Sequence, residues 1–413
     1  MKIITFTAKF LLMFILTFTL DSQTTWVTQT SGTTEDLYSV YFLNLNTGFT
    51  VGTNGTIRKT TNGGTNWAGV TSGTTNNLYE VFFLDVLTGY VSGANGTIRK
   101  TTNGGTSWTA QTSATNSALY EIYFMDANTG FTAGANGTMR KTTNGGTTWI
   151  GLNSGTTQNL YEILIANTGY AYSVGNTGTI RCSTNNGNNW IGQTSGTNQT
   201  LYDVRFPYIS IGVMNILCAI GNNGTILRTT NGGTNWTPLN SGTNNDLHEI
   251  HFTTYEIGYT VGNNGIILNT TNGGTSWTQQ VSNTNNNLWS VFFVGYTAGF
   301  TVGENGTIRK TTTGIVGIEP VINSTPDKFS LNQNYPNPFN PNTSISFHLS
   351  KYGLTKLLIH DITGREITSL FNSEMQPGYY EINWDASNYP SGIYFYTLYS
   401  SGFTDSRKMI LTK

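Results

Sequence analysis

Cysteine, charge and long apolar stretches are all scarce in this 413-residue chain. Two cysteines, Cys182 and Cys218, are too few for the disulfide framework of a small secreted domain. They could pair, but repeat drift that left two buried thiols is the simpler interpretation. Charged residues make up 10% and the net charge is -1, so composition gives no general attraction to nucleic acid or to an anionic membrane.

The most apolar stretch lies at the beginning of the chain. Lys2 and Lys9 precede an apolar run from Phe10 to Leu20, which is too short to cross a bilayer as a helix. This pattern predicts a secretory signal peptide over residues 1–22 with cleavage before Gln23. A buried N-terminal helix is the alternative. No later stretch is apolar enough to predict a transmembrane segment in the mature chain.

Glycine and aromatic residues, by contrast, are abundant and periodic. The chain has 48 glycines and 13% aromatics, a composition that favours short strands and tight turns over helices. Tryptophans recur every 41 residues, with one interval of 46, at positions 26, 67, 108, 149, 190, 236 and 277. A fixed period of this size predicts a propeller or a solenoid.

One period contains the pattern of four antiparallel strands. Strands are predicted over Leu78–Leu84, Tyr90–Gly93 and Thr97–Thr101, and a fourth begins at Trp108. The Asn95-Gly96 pair suits a two-residue hairpin whose central residues both have positive φ. Four short strands in about 41 residues make one propeller blade.

The number of first strands predicts an all-β, seven-bladed β-propeller over residues 23–314, expected to be a monomer. The first strands begin at Leu37, Leu78, Leu119, Leu160, Leu201, Leu247 and Leu288. Trp26 precedes the first period without a complete repeat before it. We therefore predict that the N-terminal strand supplies the outer strand of the seventh blade, which removes exposed sheet edges.

Each full repeat carries the motif [ST]-x-N-x-G-x-x-W. The asparagines of its six copies are Asn62, Asn103, Asn144, Asn185, Asn231 and Asn272, and the tryptophans are Trp67, Trp108, Trp149, Trp190, Trp236 and Trp277. Each tryptophan is expected to bury about 150–250 Å² as a hydrophobic anchor for the turn.

The motif resembles the Asp-box, or BNR repeat, of sialidases, sortilin-like receptors and photosystem II assembly-factor propellers. Asn replaces the usual Asp, but its side-chain oxygen can still accept backbone N–H groups. The resemblance implies a structural element far from any active centre, and we expect no metal and no cofactor.

Charged residues of the repeat occupy two fixed positions. Bases lie in the third strand of a blade and acids in the first strand. Matching each arginine with the acid of the next blade predicts interblade ion pairs, namely Arg58–Glu80, Arg99–Glu121, Arg140–Glu162 and Arg181–Asp203. The alternative is a basic ring open to an anionic ligand, although surface charges are usually solvated.

Departures from the repeat give the ligand candidates. Arg205 lies in the longer fifth period, and His248 and Trp289 replace the usual Tyr. They are weak candidates for binding sugar or peptide. His248 and His251 lie three residues apart on a strand, so they face opposite sides and cannot share a metal.

A second domain follows a linker over residues 315–328. Residues 329–413 alternate polar and apolar side chains, which predicts a small immunoglobulin-like β-sandwich. The blocks "NYPNPFNPNTSISF", "IHDITGREI", "PGYYEINWD", "SGIYFYTL" and "KMILTK" resemble the C-terminal sorting domain of type IX secretion cargo. The resemblance implies the type IX machinery as partner, a sorting signal that includes Lys408 and Lys413, and a destination outside a Gram-negative cell or on its outer membrane, reached through the periplasm. An adhesive module that stays with the protein is the alternative.

The sequence contains no convergent catalytic set, so we predict no catalytic residues. The interpretation is a secreted or surface-attached binding or scaffold propeller, whose ligand is an unidentified extracellular glycan or protein. One alternative is a sialidase-like or xyloglucanase-like glycoside hydrolase using Asp85 and Asp126. Both carboxylates occupy turn positions, and the Arg-Ile-Pro segment of sialidases is missing. The other alternative is a periplasmic assembly factor.

Overall fold

The computed structural model describes residues 26–166, 169–207, 215–254, 256–294, 298–311, 319–320, 328–375, 378–386 and 389–412. The predicted signal peptide and Lys413 lie outside these residues. In the parts of the chain described, no helix combines the length and the apolar character that a membrane span requires.

Seven four-stranded antiparallel sheets form a β-propeller. The N-terminal strand is β1 (Val27–Gln29). The blades are β2–β5 (Leu37–Phe42, Gly48–Gly52, Ile57–Thr60, Ala68–Val70), β6–β9 (Leu78–Phe83, Gly89–Gly93, Ile98–Thr101, Thr109–Gln111), β10–β13 (Leu119–Phe124, Gly130–Gly134, Met139–Thr142, Ile150–Leu152), β14–β17 (Leu160–Ile165, Ala171–Gly175, Ile180–Ser183, Ile191–Gln193), β18–β21 (Leu201–Arg205, Leu217–Gly221, Ile226–Thr229, Thr237–Leu239), β22–β25 (Leu247–Phe252, Gly258–Gly262, Ile267–Thr270, Thr278–Gln280) and β26–β28 (Leu288–Val294, Ala298–Gly303, Ile308–Thr311).

The ring closes as predicted, because β1 is the fourth strand of the seventh blade. Val27, Thr28 and Gln29 pair antiparallel with Lys310, Arg309 and Ile308. The preceding Trp26 is fully buried against Tyr259 and Phe293. The first and last blades are thus joined by main-chain hydrogen bonds, and the edge of β28 is covered.

The hairpin between the second and third strands has the predicted turn. In the first blade Asn54 has φ 54° and Gly55 has φ 69°, the positive pair that a two-residue hairpin requires. The Thr56 N–H donates to the Thr53 carbonyl at 3.0 Å. Each blade has one such single 3-10 turn, at Thr53–Gly55, Ala94–Gly96, Ala135–Gly137, Asn176–Gly178, Asn222–Gly224, Asn263–Gly265 and Glu304–Gly306.

The repeated motif folds into a compact turn between the third and fourth strands. The Thr101 hydroxyl donates to Asn103 Oδ1 at 2.9 Å, and Asn103 Oδ1 accepts the Ser107 N–H at 3.0 Å. A Cβ on Gly105 (φ 74°) would lie 2.3 Å from the Phe49 ring of the preceding blade. The motif therefore closes its own turn and seats it on the neighbouring blade.

The six motif tryptophans pack into the propeller, but not all to the same depth. Trp67, Trp108, Trp149, Trp190 and Trp236 are 4–8% exposed, whereas Trp277 is only partly buried. Four rings stand edge to face on a first-strand phenylalanine of their own blade, with centroids 5.8–6.2 Å apart, in the pairs Phe42–Trp67, Phe83–Trp108, Phe124–Trp149 and Phe252–Trp277. Five of these side chains are buried packing residues. The expectation of a buried anchor needs correction at Trp277, which packs against the core but is only partly buried.

The indole N–H groups of these tryptophans also differ. Trp190 and Trp277 donate to the glycine carbonyl of their own motif, at 2.9 and 3.2 Å, and Trp236 donates to Gln193 of the preceding blade at 3.3 Å. The indole nitrogens of Trp67 and Trp149 are buried without a hydrogen-bond partner among the described residues, and so is that of Trp108. Packing of the ring, not a bond from the indole, is therefore what the six copies share.

The predicted interblade ion pairs are wrong. Among the described residues, no arginine of the third strands lies within 4.0 Å of the acid assigned to it. The first strand lines the axis and the third strand lies two strands farther out, so the partners sit at different radii. Arg58, Arg99 and Arg140 donate instead to carbonyls of the loop that enters their own blade, at Gly32, Gly73 and Ala114, whereas Arg181 donates to the Trp190 carbonyl.

The lysines that follow Arg58, Arg99, Arg140 and Arg309 join adjacent blades, whereas Cys182 follows Arg181. Lys59 Nζ donates at 2.7 Å to the carbonyl of Gly104 in the next blade's motif and lies 5.2 Å above the Phe49 ring. Lys100, Lys310 and Arg228 bind the equivalent carbonyls of Gly145, Gly63 and Gly273, and Lys141 binds Asn188. The sixth blade has Asn269 here, and it precedes the one period that lacks the motif tryptophan. The bases of the third strands are therefore engaged with protein acceptors.

Lys59→Met should lower the free energy of unfolding by about 1.5–3 kcal/mol, because it removes a charge-assisted bond and leaves the Gly104 carbonyl without this donor. Lys100→Met is the matched control: Gly145 keeps a second donor, the Tyr90 hydroxyl, at 3.0 Å. Urea unfolding followed by tryptophan fluorescence should show the smaller loss for Lys100→Met. Equal losses would contradict the interblade role.

The C-terminal domain is a sandwich of two four-stranded sheets, as predicted. The first sheet contains β29 (Glu319–Pro320), β34 (Gly378–Asp385), β31 (Asn342–Leu349) and β30 (Ser330–Leu331). The second contains β33 (Glu366–Met375), β32 (Gly353–His360), β35 (Gly392–Ser400) and β36 (Phe403–Leu411). β29 falls within the predicted linker and pairs with β34. Lys408 lies in β36, where its carbonyl accepts hydrogen bonds from Gln333 and Asn337.

Candidate functional site

A closed circle of seven aromatic side chains surrounds one mouth of the central channel. We call it the aromatic collar; its members are Tyr38, Tyr79, Tyr120, Tyr161, Tyr202, His248 and Trp289. Successive ring centroids, taken from Tyr38 around to Tyr38 again, lie 5.6, 5.4, 5.0, 5.2, 5.0, 4.4 and 6.2 Å apart. Every side chain is partly exposed, so the collar presents an aromatic surface to solvent.

A β-bulge in each first strand positions the collar. The pairing register between the first and second strands shifts between Leu37 and Ser39, and the same shift recurs in all seven blades. A bulge places two residues of one strand opposite one of its partner and re-aims a side chain. The collar residue and the residue after it therefore both face the channel in each blade.

The residues that follow the collar form a ring of acids. We call Glu80, Glu121, Glu162, Asp203 and Glu249 the carboxylate ring; Ser39 and Ser290 complete the circle. Four of the seven side chains, including both serines, accept the N–H of a first-strand residue in the next blade. The acceptors are Ser39 for Val81, Asp203 for Ile250, Glu249 for Val291 and Ser290 for Val40, at 2.9–3.3 Å. A polar residue at this position therefore joins adjacent blades.

Arg205 is the cation of the carboxylate ring. Its guanidinium lies 2.7 Å from Glu162, 3.3 Å from Asp203 and 4.0 Å from Glu249. Glu162 and Asp203 are 4% and 2% exposed, so these are interior charges that need a partner. Interblade ion pairs therefore do exist, to Glu162 and Glu249, but they use the base that departs from the repeat.

Burial of five acids around one base raises their pKa values. Burial raises the pKa of Glu162 to about 8 although Arg205 opposes the rise, and burial with the nearby Asp203 raises the pKa of Glu249 to about 7. Burial raises the pKa values of Glu80 and Glu121 well above the ordinary range, and neighbouring carboxylates add to the effect. The ring therefore holds protons at neutral pH.

The stability of the propeller should fall as the pH rises from 6.5 to 8.5. Because these folded-state pKa values exceed those of the unfolded chain, the folded state binds more protons in this window, and raising the pH favours unfolding. His248 and His251 have lowered pKa values because of burial and act in the opposite direction, but only below about pH 6.5. Urea midpoints measured across the window should decrease, and Glu162→Gln should flatten the decrease. A rising midpoint would contradict the assignment.

All three weak ligand candidates belong to this channel. His248 and Trp289 are adjacent members of the collar with ring centroids 4.4 Å apart, and Arg205 binds the carboxylate ring. Sequence reasoning missed the five collar tyrosines because they are regular members of the repeat, and only the exceptions were singled out. Four of the five recur one residue before an acid, and Tyr38 holds the same position before Ser39; that recurrence was the available signal.

The two cysteines do not form a disulfide. Cys182 and Cys218 are both free and buried, and they pack in different core clusters. This agrees with the interpretation that repeat drift placed them in the core.

The propeller sequence matches the family model described as photosynthesis system II assembly factor YCF48, over residues 65–205 and 192–281. These segments together span more than half of the 413 residues. The chain belongs to this family. Beyond the YCF48-family propeller, residues 333–412 match the secretion system C-terminal sorting domain. That match supports type IX export to the cell surface or the extracellular space of a Bacteroidetes-type bacterium.

Solved structures similar to this YCF48-family chain have the same fold. A YCF48 bound to D1 peptide is 20% identical with a TM-score of 0.60, and the match covers 70% of this chain and 95% of that one. YCF48 from Cyanidioschyzon merolae is 17% identical with a TM-score of 0.59, covering 70% and 99%. The WD40 propeller domain of Doa1 is 13% identical with a TM-score of 0.59, covering 70% and 97%. No curated protein matches the sequence.

Proposed function

We propose that this protein is a non-catalytic binding propeller that works outside the cell after type IX export, and that its ligand meets the aromatic collar. The observation that carries the proposal is the unbroken circle of seven aromatic rings at one channel mouth. Aromatic rings that are partly exposed in a cluster offer large apolar area and π faces to a ligand. The collar therefore suits an extended polypeptide segment or its side chain.

The local chemistry of Asp85 and Asp126 supports a binding role over glycoside hydrolysis. Asp85 accepts the N–H groups of Leu87 and Thr88, each at 2.7 Å. Backbone N–H groups hold the pKa of Asp126 below its usual range, whereas a general acid for glycosidic cleavage needs a raised pKa. Both carboxylates act as turn-forming groups.

The sorting domain supports action outside the cell over a role as a periplasmic assembly factor. Cargo of this secretion route passes through the periplasm and leaves it, so a factor that stays there would not need residues 333–412. The family name and the D1 peptide in one similar structure favour a protein ligand over a glycan. We propose that the exported propeller presents the collar to that ligand.

The mature chain should be probed against arrays of glycans and of peptides, with Tyr120→Ser and Trp289→Ala as collar variants. Ligand signal should appear in the wild type and be lost in both collar variants. It should persist in Asp126→Asn, a change in a turn at the opposite channel mouth. Retention of the signal in the collar variants would overturn the proposed site. Turnover of aryl-glycosides or plant glucans that one carboxylate substitution abolishes would overturn the proposed function.

A further inference from the structure

Two adjacent members of the carboxylate ring have no cation beside them. Arg205 reaches Glu162, Asp203 and Glu249, which belong to the fourth, fifth and sixth blades. In the part of the chain that the structure describes, no basic group lies within 4.0 Å of Glu80 or Glu121. Arg205 lowers the pKa values of Glu80 and Glu121 only from a longer distance, so the negative charge of the ring is offset most strongly at Glu162, Asp203 and Glu249.

Among the described residues, these two glutamates accept no backbone N–H group, in contrast to Asp203 and Glu249. Glu80 accepts the Ser39 hydroxyl at 2.9 Å, and no hydrogen bond among the described residues joins it to a backbone N–H. Glu121 is 8% exposed and accepts no N–H group from the described chain; its partner is the carboxyl group of Glu162. A carboxyl group that is buried beside another carboxyl and receives no cation is costly to ionise. Among the described residues, the hydrogen-bond partners of these two acids are therefore neutral or acidic side chains of adjacent blades, Ser39 and Glu162.

The collar directly above them limits what can reach them. Tyr79 and Tyr120 immediately precede Glu80 and Glu121, and their ring centroids are 5.4 Å apart. A regular heptagon with sides in the observed range has its corners about 6 Å from its centre, so contacts of about 3.5–4.0 Å to the rings leave room for one alkyl chain on the axis. A pyranose ring or a helix is too wide to pass.

We propose that the channel binds a protonated alkylamine, whose chain passes through the aromatic collar and whose ammonium group lies between Glu80 and Glu121. Tyr79 and Tyr120 contribute their π faces to the same cation, and the two carboxyl groups, which lose their protons to solvent when the cation binds, accept its N–H groups. The inference rests on the proposed binding role and names the chemical class of the ligand. The amine can be a free polyamine or the lysine side chain of an extended peptide.

A divalent metal ion suits the site less well than an amine. Metal sites need at least three converging His, Cys, Asp or Glu ligands at short range, and no such group occurs among the described residues. A single ammonium group needs only two carboxylates and tolerates the aromatic walls. The narrow collar selects a primary amine on an unbranched chain.

Isothermal titration of the mature chain at pH 8 provides the test, with two probes: 1,5-diaminopentane, and a capped extended peptide with one lysine. Wild-type protein should bind at least one probe, and acetylation of that lysine should abolish peptide binding. Glu80→Gln and Glu121→Gln should each weaken binding by about tenfold or more, since each removes a charged acceptor. Glu35→Gln, an acid away from the channel axis, should leave it unchanged. Near-ultraviolet circular dichroism checks that each variant folds.

The two probes distinguish a free polyamine from a lysine side chain as the source of the amine. Binding of the diamine alone identifies a free polyamine, and binding of the peptide identifies a lysine side chain. No binding of either probe, or unchanged binding by the two glutamine variants, overturns the amine site. If the amine fails while the collar variants still lose their array ligand, the proposed function stands and only the ligand class is wrong. If the amine binds but the collar variants keep the array ligand, the amine site stands and the collar is not the binding site of the array ligand.

Discussion

Trp26→Ala should lower the free energy of unfolding of the propeller by about 3–5 kcal/mol, the usual cost of truncating a buried tryptophan. Trp26 is fully buried and makes edge-to-face contacts with Tyr259 and Phe293 at 6.4 and 6.0 Å. Its indole N–H donates to Gln280 at 3.0 Å. The substitution removes the anchor of β1, the strand that closes the ring. It therefore also weakens the pairing of β1 with β28.

The adjacent Val27 provides a matched control for the closure. Val27 pairs with Lys310 in the same strand but is 51% exposed, so Val27→Ala should change stability by no more than about 0.5 kcal/mol. Urea unfolding monitored by fluorescence suits both variants, because eight of the nine tryptophans lie in the propeller. Similar midpoints for Trp26→Ala and Val27→Ala would show that the N-terminal strand is not needed for closure.

The fold could be predicted from sequence because its determinants are local and repeated. The Asn95-Gly96 pair dictates its turn through backbone sterics, and the observed positive φ values follow from it. The unmatched Trp26 identified the closing strand because the seventh period has no tryptophan of its own, and its blade has one free edge for the N-terminal strand to join. The observed strands differ from the predicted Leu78–Leu84 and Tyr90–Gly93 by a single residue each.

The side-chain contacts in the channel could not be predicted in the same way, because they depend on how far each strand lies from the propeller axis. Sequence spacing placed Arg99 and Glu121 on successive blades but did not show that one lies on the third strand and the other on the axis. The β-bulge after Leu119 was also invisible, since plain alternation predicts that Tyr120 and Glu121 face opposite sides. Only with the bulge do the tyrosines form a collar above the acids.

Arg205→Met should destabilise the propeller by about 3–5 kcal/mol at pH 8. Removing the base of a buried ion pair leaves its carboxylates buried without an opposite charge. Glu162 and Asp203 would remain in the interior without a cation. At pH 6 the loss should be smaller, since raised pKa values let these carboxyls take up protons and become neutral.

The dependence on pH separates this electrostatic role from simple packing. A loss of side-chain contacts alone would cost the same at pH 6 and pH 8, so urea midpoints of Arg205→Met and wild type at both values decide between them. Arg365→Met removes the exposed pair with Asp361, whose atoms are 3.1 Å apart and whose arginine side chain is 78% exposed. That control should cost at most about 1 kcal/mol at either pH. A loss for Arg205→Met that did not grow with pH would mean that Arg205 does not hold the charge of the carboxylate ring.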